Sequence, residues 1–250
     1  MYEIKILATS DIHAPRYTGL FFKAVKLTKI QPDIIILAGD LVEKNNVSAL
    51  KPIYNYILNN FDGIPVFAVF GNEEYRGFEN RYVEEYREFV WLNDEYRIVD
   101  VKETRVAIIG TRGALDKPTP WQARNIPGIA SYYRELPERV SKYIDEIRTR
   151  GVNIVILVSH YGVTYNNLEG EPQQIWPYLA SRRMENIIKK KHLDLVIHGH
   201  AHKAVVEMIR INNTPIYNVS LPARGRIVEI TVSAKKTAST TEGLFRWIKK

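Results

Sequence analysis

The chain has no cysteine among its 250 residues, which excludes disulfides, thiolate metal ligands and a cysteine nucleophile. Any metal site must then be built from histidine, aspartate, glutamate or asparagine. Long apolar runs are lacking too. Stretches such as IVILV at 154–158 fall far short of the roughly 20 residues that a bilayer crossing needs, so no membrane partner is expected. The N-terminal MYEIKILATS shows no basic flank ahead of a long apolar core, and the chain reads as cytoplasmic. No Pro/Gly/Ser-rich linker interrupts the first 230 residues. One domain is expected over 1–232, followed by a polar stretch and a compact amphipathic tail over 233–250. Histidine is scarce as well, with six in all, yet His198, His200 and His202 fall within five residues of each other in LVIHGHAH.

What is present suits a soluble globular domain large enough to bury a sizeable core: 45% hydrophobic and 25% charged residues. The net charge of +7 could attract anionic substrates or nucleic acid, but the lysines are scattered and form no long basic run. Apolar segments rich in β-branched residues recur at 3–9, 33–39, 65–71, 104–110, 153–159 and 193–199 and predict buried strands. Between them, helical spacing predicts helices over 19–30, 47–60, 78–91, 135–150 and 178–190. Such alternation argues an α/β fold. After His202 the pattern turns to short strands at AVVEMIR, TPIYNVS and RIVEITV, which reads as antiparallel sheet packed beside the first.

The residues that end each apolar segment carry the functional signal. ILATSDIH delivers Asp11 and His13, ILAGD delivers Asp40, FAVFGN delivers Asn72, ILVSH delivers His160, and VIHGHAH delivers His200 and His202. Taken singly, Asp40 or Asn72 after a glycine is commonly a turn or cap residue, and His160 a satisfied core histidine. Their joint occurrence at the ends of five core strands is different, because in open α/β sheets the crevice beyond the carboxyl ends of the strands is where ligands bind. Within LVIHGHAH, an unbroken strand would align all three histidines on one face. Gly199 favours a bend, which leaves His198 in the strand and passes His200 and His202 to the loop.

In this order, DIH, GDLVE, GNE, SHYG and GHAH resemble the five blocks of the calcineurin-like metallophosphoesterase superfamily, D-x-H, G-D, G-N-H-[D/E], H and G-H-x-H. The blocks run from Asp11 to His202, about four fifths of the chain. The resemblance implies a four-layer α/β/β/α sandwich of two mixed sheets flanked by helices, with the strands after His202 supplying much of the second sheet. It implies that Asp11, His13 and His202 hold one metal, that Asn72, His160 and His200 hold another, and that Asp40 bridges them. The implied activity is hydrolysis of a phosphate ester by a hydroxide between two divalent cations, for which an N/O ligand set suits Mn, Fe, Zn or Ni. His198, one residue too early, is expected to pack or hydrogen-bond within its strand.

One position departs from the pattern. Where many members carry histidine after G-N, this chain has Glu73, which cannot act as a cation. Either its carboxyl serves as an acid or it caps the following turn, and Arg112, Tyr161 and Tyr165 are further candidates near the site. Arg112, just past the segment TRVAIIG, reads either as a substrate-phosphate contact or as a surface arginine paired with a nearby acid. The catalytic set is thus Asp40, Asn72, Glu73 and Arg112, and the favoured activity is phosphoesterase with diesters slightly preferred over monoesters. A nuclease is the second reading and a non-catalytic scaffold the last, since none of the seven ligand positions is lost. Monomer and homodimer both remain open.

Overall fold

The computed structural model describes residues 2–234. In chain order it contains β1 (Tyr2–Thr9), α1 (Thr18–Lys26), β2 (Ile34–Ala38), α2 (Lys51–Asn60), β3 (Val66–Val69), α3 (Glu79–Glu85), β4 (Phe89–Leu92), β5 (Glu95–Val101) and β6 (Thr104–Thr111). Then follow α4 (Pro120–Asn125), α5 (Ile129–Arg148), β7 (Ile154–Ser159), α6 (Arg182–Lys190), β8 (Leu195–His198), β9 (Met208–Ile211), β10 (Thr214–Asn218), α7 (Leu221–Arg224) and β11 (Val228–Ala234). One sheet runs β11-β1-β2-β3-β4 and the other β5-β6-β7-β8-β10-β9. Both are mixed: β1 to β4 are parallel with β11 antiparallel at one edge. In the second sheet β6, β7, β8 and β10 are parallel, and β5 and β9 run antiparallel at the edges.

The expected four layers follow from strand alternation, because successive residues point to opposite faces of a sheet. Ile4, Ile6, Ile34, Ile36, Phe67 and Val69 turn inward and meet Val106, Ile108, Ile154, Ile156 and Ile197 of the other sheet in a common core. The intervening Leu7, Ile35, Leu37 and Ala68 pack under Phe21 and Val25 of α1 and Ile53 and Ile57 of α2. On the far side, Ile109, Val155, Leu157 and Val196 pack under Tyr133, Val140 and Ile144 of α5 and Met184 and Ile188 of α6. With both faces covered, the central strands are apolar at every position, as in β2 and β7.

Several features depart from the sequence expectation. The helix expected over 78–91 stops at Glu85, and Phe89–Leu92 instead extends the first sheet beside β3. There its aromatic and β-branched side chains gain cross-strand partners that outweigh their helical spacing. β5 was not anticipated either: it is half exposed and joins β6 through a two-residue turn at Lys102 and Glu103, where Lys102 has φ 55° without being glycine. Of the strands after His202, β9 and β10 complete the second sheet, but β11 crosses back to pair with β1 of the first. Between them the PARG segment forms the single turn α7. β11 continues through Ala234, two residues into the stretch expected to be tail, and the rest of that stretch, 235–250, lies outside the described residues.

Candidate metal centre

β1, β2 and β3 of one sheet and β7 and β8 of the other all end at one side of the molecule, and the loops leaving them carry every candidate ligand. Asp11, His13, Asp40 and His200 adopt left-handed backbone conformations, with φ of 58°, 43°, 50° and 68°. That region costs a non-glycine residue about 1–2 kcal/mol, and here it turns four polar side chains sharply out of buried strands. The loops brace one another: the Asp11 amide donates to the Gly39 carbonyl at 2.9 Å and the His13 amide to the Asp40 carbonyl at 2.9 Å. The motif glycines are there for space. A Cβ on Gly71 would lie 2.1 Å from Asp40 Oδ1, and one on Gly199 would lie 2.3 Å from Ser10 Oγ and 2.7 Å from Asp11 Oδ2.

Two clusters result. Asp11, His13 and His202 offer ligand atoms within 4.8 Å of one another, and so do Asp40, His160 and His200. In the first, Asp11 Oδ1 lies 3.0 Å from His202 Nε2 and 3.9 Å from His13 Nε2, and the two imidazole nitrogens are 3.4 Å apart. In the second, Asp40 Oδ2 lies 3.4 Å from His160 Nε2, and Asn72 Oδ1 is 3.3 Å from that same nitrogen. Asp40 also joins the two, because its Oδ2 is only 3.7 Å from His13 Nε2. His160 Nδ1 donates to the Ala38 carbonyl at 3.0 Å, so Nε2 is the nitrogen that faces the cluster and becomes a ligand once it loses its proton. Buried carboxylates and imidazoles packed this closely, with no thiolate among them, form a donor set suited to divalent first-row cations.

The electrostatics have the same origin. Burial alone would raise the Asp11 carboxyl, but the hydrogen bond and charge of His202 hold it well below the usual carboxylate range. Burial likewise opposes ionisation of Asp40 and is outweighed by His160. His160 in turn is pushed up to about 9, since the neighbouring Asp40 and Asp11 carboxylates outweigh its burial. His200 moves the other way, down to about 3, through burial and then repulsion from His160.

His198 is fully buried in β8 and apart from both clusters, as its register suggested. Asn167 Nδ2 donates to its Nε2 at 2.8 Å, and its Nδ1 faces the Gly199 carbonyl at 2.9 Å. Glu73 turns to the backbone, where its carboxylate accepts the Lys44 amide at 2.6 Å and its own amide donates to Asp40 Oδ1 at 2.8 Å. The carboxylate thus caps the loop after β2 at Lys44 and not the turn that follows Glu73. Arg112 is buried rather than at the surface. Its Nη1 donates to the Gly71 and Glu74 carbonyls and its Nη2 pairs with Glu79 at 2.8 Å, so the guanidinium is engaged with the loop that carries Asn72 instead of standing free. Tyr161 accepts a hydrogen bond from Gln122, Tyr165 donates to Asp116, and burial raises the pKa of both hydroxyls.

Sequence reasoning passed over Glu74. Its carboxylate is fully buried and accepts the amides of Gly71 at 2.7 Å, Asp40 at 3.0 Å, Leu41 at 2.7 Å and Val42 at 3.1 Å, thereby fixing the Asp40 loop to the Asn72 loop. Burial and the adjacent Asp40 charge push it up to about 7 against the pull of those donors. The acidic fourth position of the G-N-H-[D/E] block was the signal that could have found it.

Facing sheets that present carboxylates and imidazoles from their strand ends define a metal-binding hydrolase of phosphoric esters. The chain belongs to the calcineurin-like phosphoesterase family, whose model matches residues 4–204. No curated protein matches it in sequence. Among solved structures, phosphopantetheinyl hydrolase from Mycobacterium tuberculosis is similar with a TM-score of 0.64 at 14% identity, over 90% of this chain and 95% of that one. The calcineurin-like phosphoesterase YfkN from Bacillus subtilis superposes with a TM-score of 0.51 at 16% identity, over 93% of this chain and 90% of that one. A 5'-nucleotidase precursor from Thermus thermophilus gives a TM-score of 0.54 at 14% identity over 92% of this chain, which spans only 54% of that longer chain. At such identities the likeness is one of fold. Among the described residues no helix is long and apolar enough to cross a membrane.

Proposed function

We propose that the protein is a two-metal phosphoesterase with a modest preference for diesters. The observation that carries this is the position of Asp40, whose carboxylate stands within 3.4 Å of His160 and 3.7 Å of His13, between two donor clusters. Asp11, His13 and His202 would hold one cation, Asn72, His160 and His200 the other, and Asp40 both. Bound divalent cations supply Lewis acidity towards the phosphoryl oxygens and lower the pKa of a water to make the nucleophile. The chain's own groups position and insulate. Ala38 fixes the His160 tautomer, Ser10 and the His200 amide hold the Asp11 carboxylate, and Glu74 with Arg112 holds the Asp40 and Asn72 loops. Glu73 offers no proton donor where many relatives place a histidine, and it adds negative charge near the ester. A dianionic monoester is disfavoured by that charge more than a monoanionic diester. The hydrogen bond from the Lys44 amide to the Glu73 carboxylate keeps the preference small.

The nuclease reading gains nothing from the charge. Residues 235–250 hold four lysines and one arginine against one glutamate, so four of the seven net positive charges come from that segment and only three from residues 1–234, which include both clusters. The deciding experiment is metal analysis of the purified protein together with Mn²⁺-supported hydrolysis of matched aryl mono- and diesters. Asp40→Asn should cut turnover by roughly a thousandfold or more, because it removes charge shared by both cations. Near-normal turnover in that variant would sink the two-metal reading.

A further inference from the structure

Among the described residues only three aromatic side chains are exposed, Tyr75, Phe78 and Trp121, at 45%, 42% and 61%. All three line one cleft of about 670 Å³, whose inner wall includes Asn72 and His200 of the second cluster. Leu115, Ile126 and Pro127 add apolar wall between the polar Glu73, Thr119, Gln122 and Asn125. A volume of this size matches clefts that enclose a small organic molecule. Exposed aromatics are costly in water and need an explanation when they gather in one place.

The cleft is built rigidly. Tyr75 and Phe78 lie in the loop that carries Asn72. Trp121 is the second residue of α4, whose start is fixed by Pro120 and by a reciprocal capping box between Thr119 and Gln122. Gln122 also donates to the buried Tyr161 hydroxyl at 3.1 Å, tying α4 to the end of β7. Trp121 is thus presented to solvent from an anchored turn. Arg76, with its guanidinium 4.4 Å from the Tyr132 ring, has no carboxylate within ion-pair distance among the described residues. It gives the aromatic cleft a positive rim suited to an anionic ester.

Resting on the phosphoesterase reading above, we infer that this cleft takes the organic group of the substrate and that the group is aromatic, with Trp121 and Phe78 as the specificity-determining residues. A planar ring stacked there would cover apolar surface that is otherwise wet, while its phosphoryl end reaches the Asn72 and His200 wall. An aliphatic group of similar reach would gain less, because offset aromatic stacking adds to what buried area alone supplies.

The test is equilibrium binding to metal-loaded protein, by calorimetry, of phenylphosphonate and ethylphosphonate, neither of which can be hydrolysed at its P–C bond. Phenylphosphonate should bind about tenfold more tightly, and Trp121→Ala and Phe78→Ala should each bring that ratio close to one with metal content unchanged. Equal affinities in the wild-type protein, no binding of either ligand, or a ratio untouched by both substitutions would overturn the inference. So would a concentration-dependent dimer abolished by Trp121→Ala without ligand discrimination, which would assign the aromatics to a second copy of the chain. Phenyl p-nitrophenyl phosphate and ethyl p-nitrophenyl phosphate, which share a leaving group, separate the two readings. Binding discrimination without hydrolysis of either ester leaves the aromatic cleft standing and removes the esterase, whereas hydrolysis of both at equal rates with equal binding does the reverse.

Discussion

His160 and His198 are fully buried and His200 is half-buried, yet their surroundings move them in opposite directions. His160 faces two carboxylates and rises to about 9, while His198 and His200, with burial dominant, fall to about 4 and about 3. A cation entering beside Asp40 must therefore displace the proton on His160. Apparent Mn²⁺ affinity should rise with pH up to about 9, by about tenfold per pH unit for each proton displaced. Calorimetric titrations at about pH 6.5 and about pH 8, in buffers of different ionisation enthalpy, read both the affinity and the proton release. A pH-independent affinity would contradict the assignment of His160 as a ligand. Substitution separates the three histidines of LVIHGHAH. His200→Ala and His202→Ala should each lower metal occupancy. His198→Ala should leave it near normal and instead destabilise the fold by about 1–3 kcal/mol, since it strands the Asn167 amide. Loss of metal in His198→Ala with retention in His202→Ala would show that the register has been misassigned. These residues were legible because each chemical type stands next to the glycine or strand end that presents it. Arg112 was harder to read: a strand-end arginine in sequence does not reveal whether its guanidinium faces substrate or the underside of the neighbouring loop.

At the scale of elements, the site is a set of strand-to-loop junctions held in register by two buried groups, Glu74 and Arg112. Removing Arg112 would leave the Gly71 and Glu74 carbonyls and the Glu79 carboxylate without their donor. Arg112→Ala should lower stability by about 3–5 kcal/mol, as breaking a buried pair does, and should reduce kcat together with metal occupancy. A substrate contact would instead raise KM alone in a fully stable, fully metallated protein, and steady-state kinetics with metal analysis tells the two apart. Gly71→Ala tests the same junction sterically: its Cβ would fall 2.1 Å from Asp40 Oδ1, so the Asp40 loop must shift and metal occupancy should drop. Full occupancy and unchanged turnover in that variant would mean that the loops are not so tightly coupled. The central strands were readable as elements because burial on both faces makes them continuously apolar. β4 and β5 were not: the first has helical spacing that only its pairing with β3 overrides, and the second is half exposed and turns through a non-glycine residue with positive φ.

For the whole molecule, the candidate ligands come from both sheets, with Asp11, His13, Asp40 and Asn72 on loops of the five-stranded one and His160, His200 and His202 on loops of the six-stranded one. Cations bound there would bridge the layers and stabilise only the folded chain. Chelation should lower the melting temperature by several degrees, about 2.7 kcal/mol being lost for each site that was held at a hundred times its Kd. Restoring Mn²⁺ should reverse the change, and a melting temperature indifferent to chelator would argue that neither cluster holds metal. The α/β class was visible from the alternation of strand and helix, and the four layers followed only from the resemblance to the family; the return of β11 to the first sheet was not visible, since nothing local in RIVEITV names β1 as its neighbour. That return bears on biosynthesis. Among the described residues, the outer edge of β1, which leads into Asp11 and His13, is closed by 228–234, so while the chain leaves the ribosome β1 must wait for β11, made more than 200 residues later. Until then it presents an open row of amides and carbonyls to any passing strand. A nascent chain halted before Val228 should be held by chaperones or aggregate, even though all seven candidate ligands have already been synthesised.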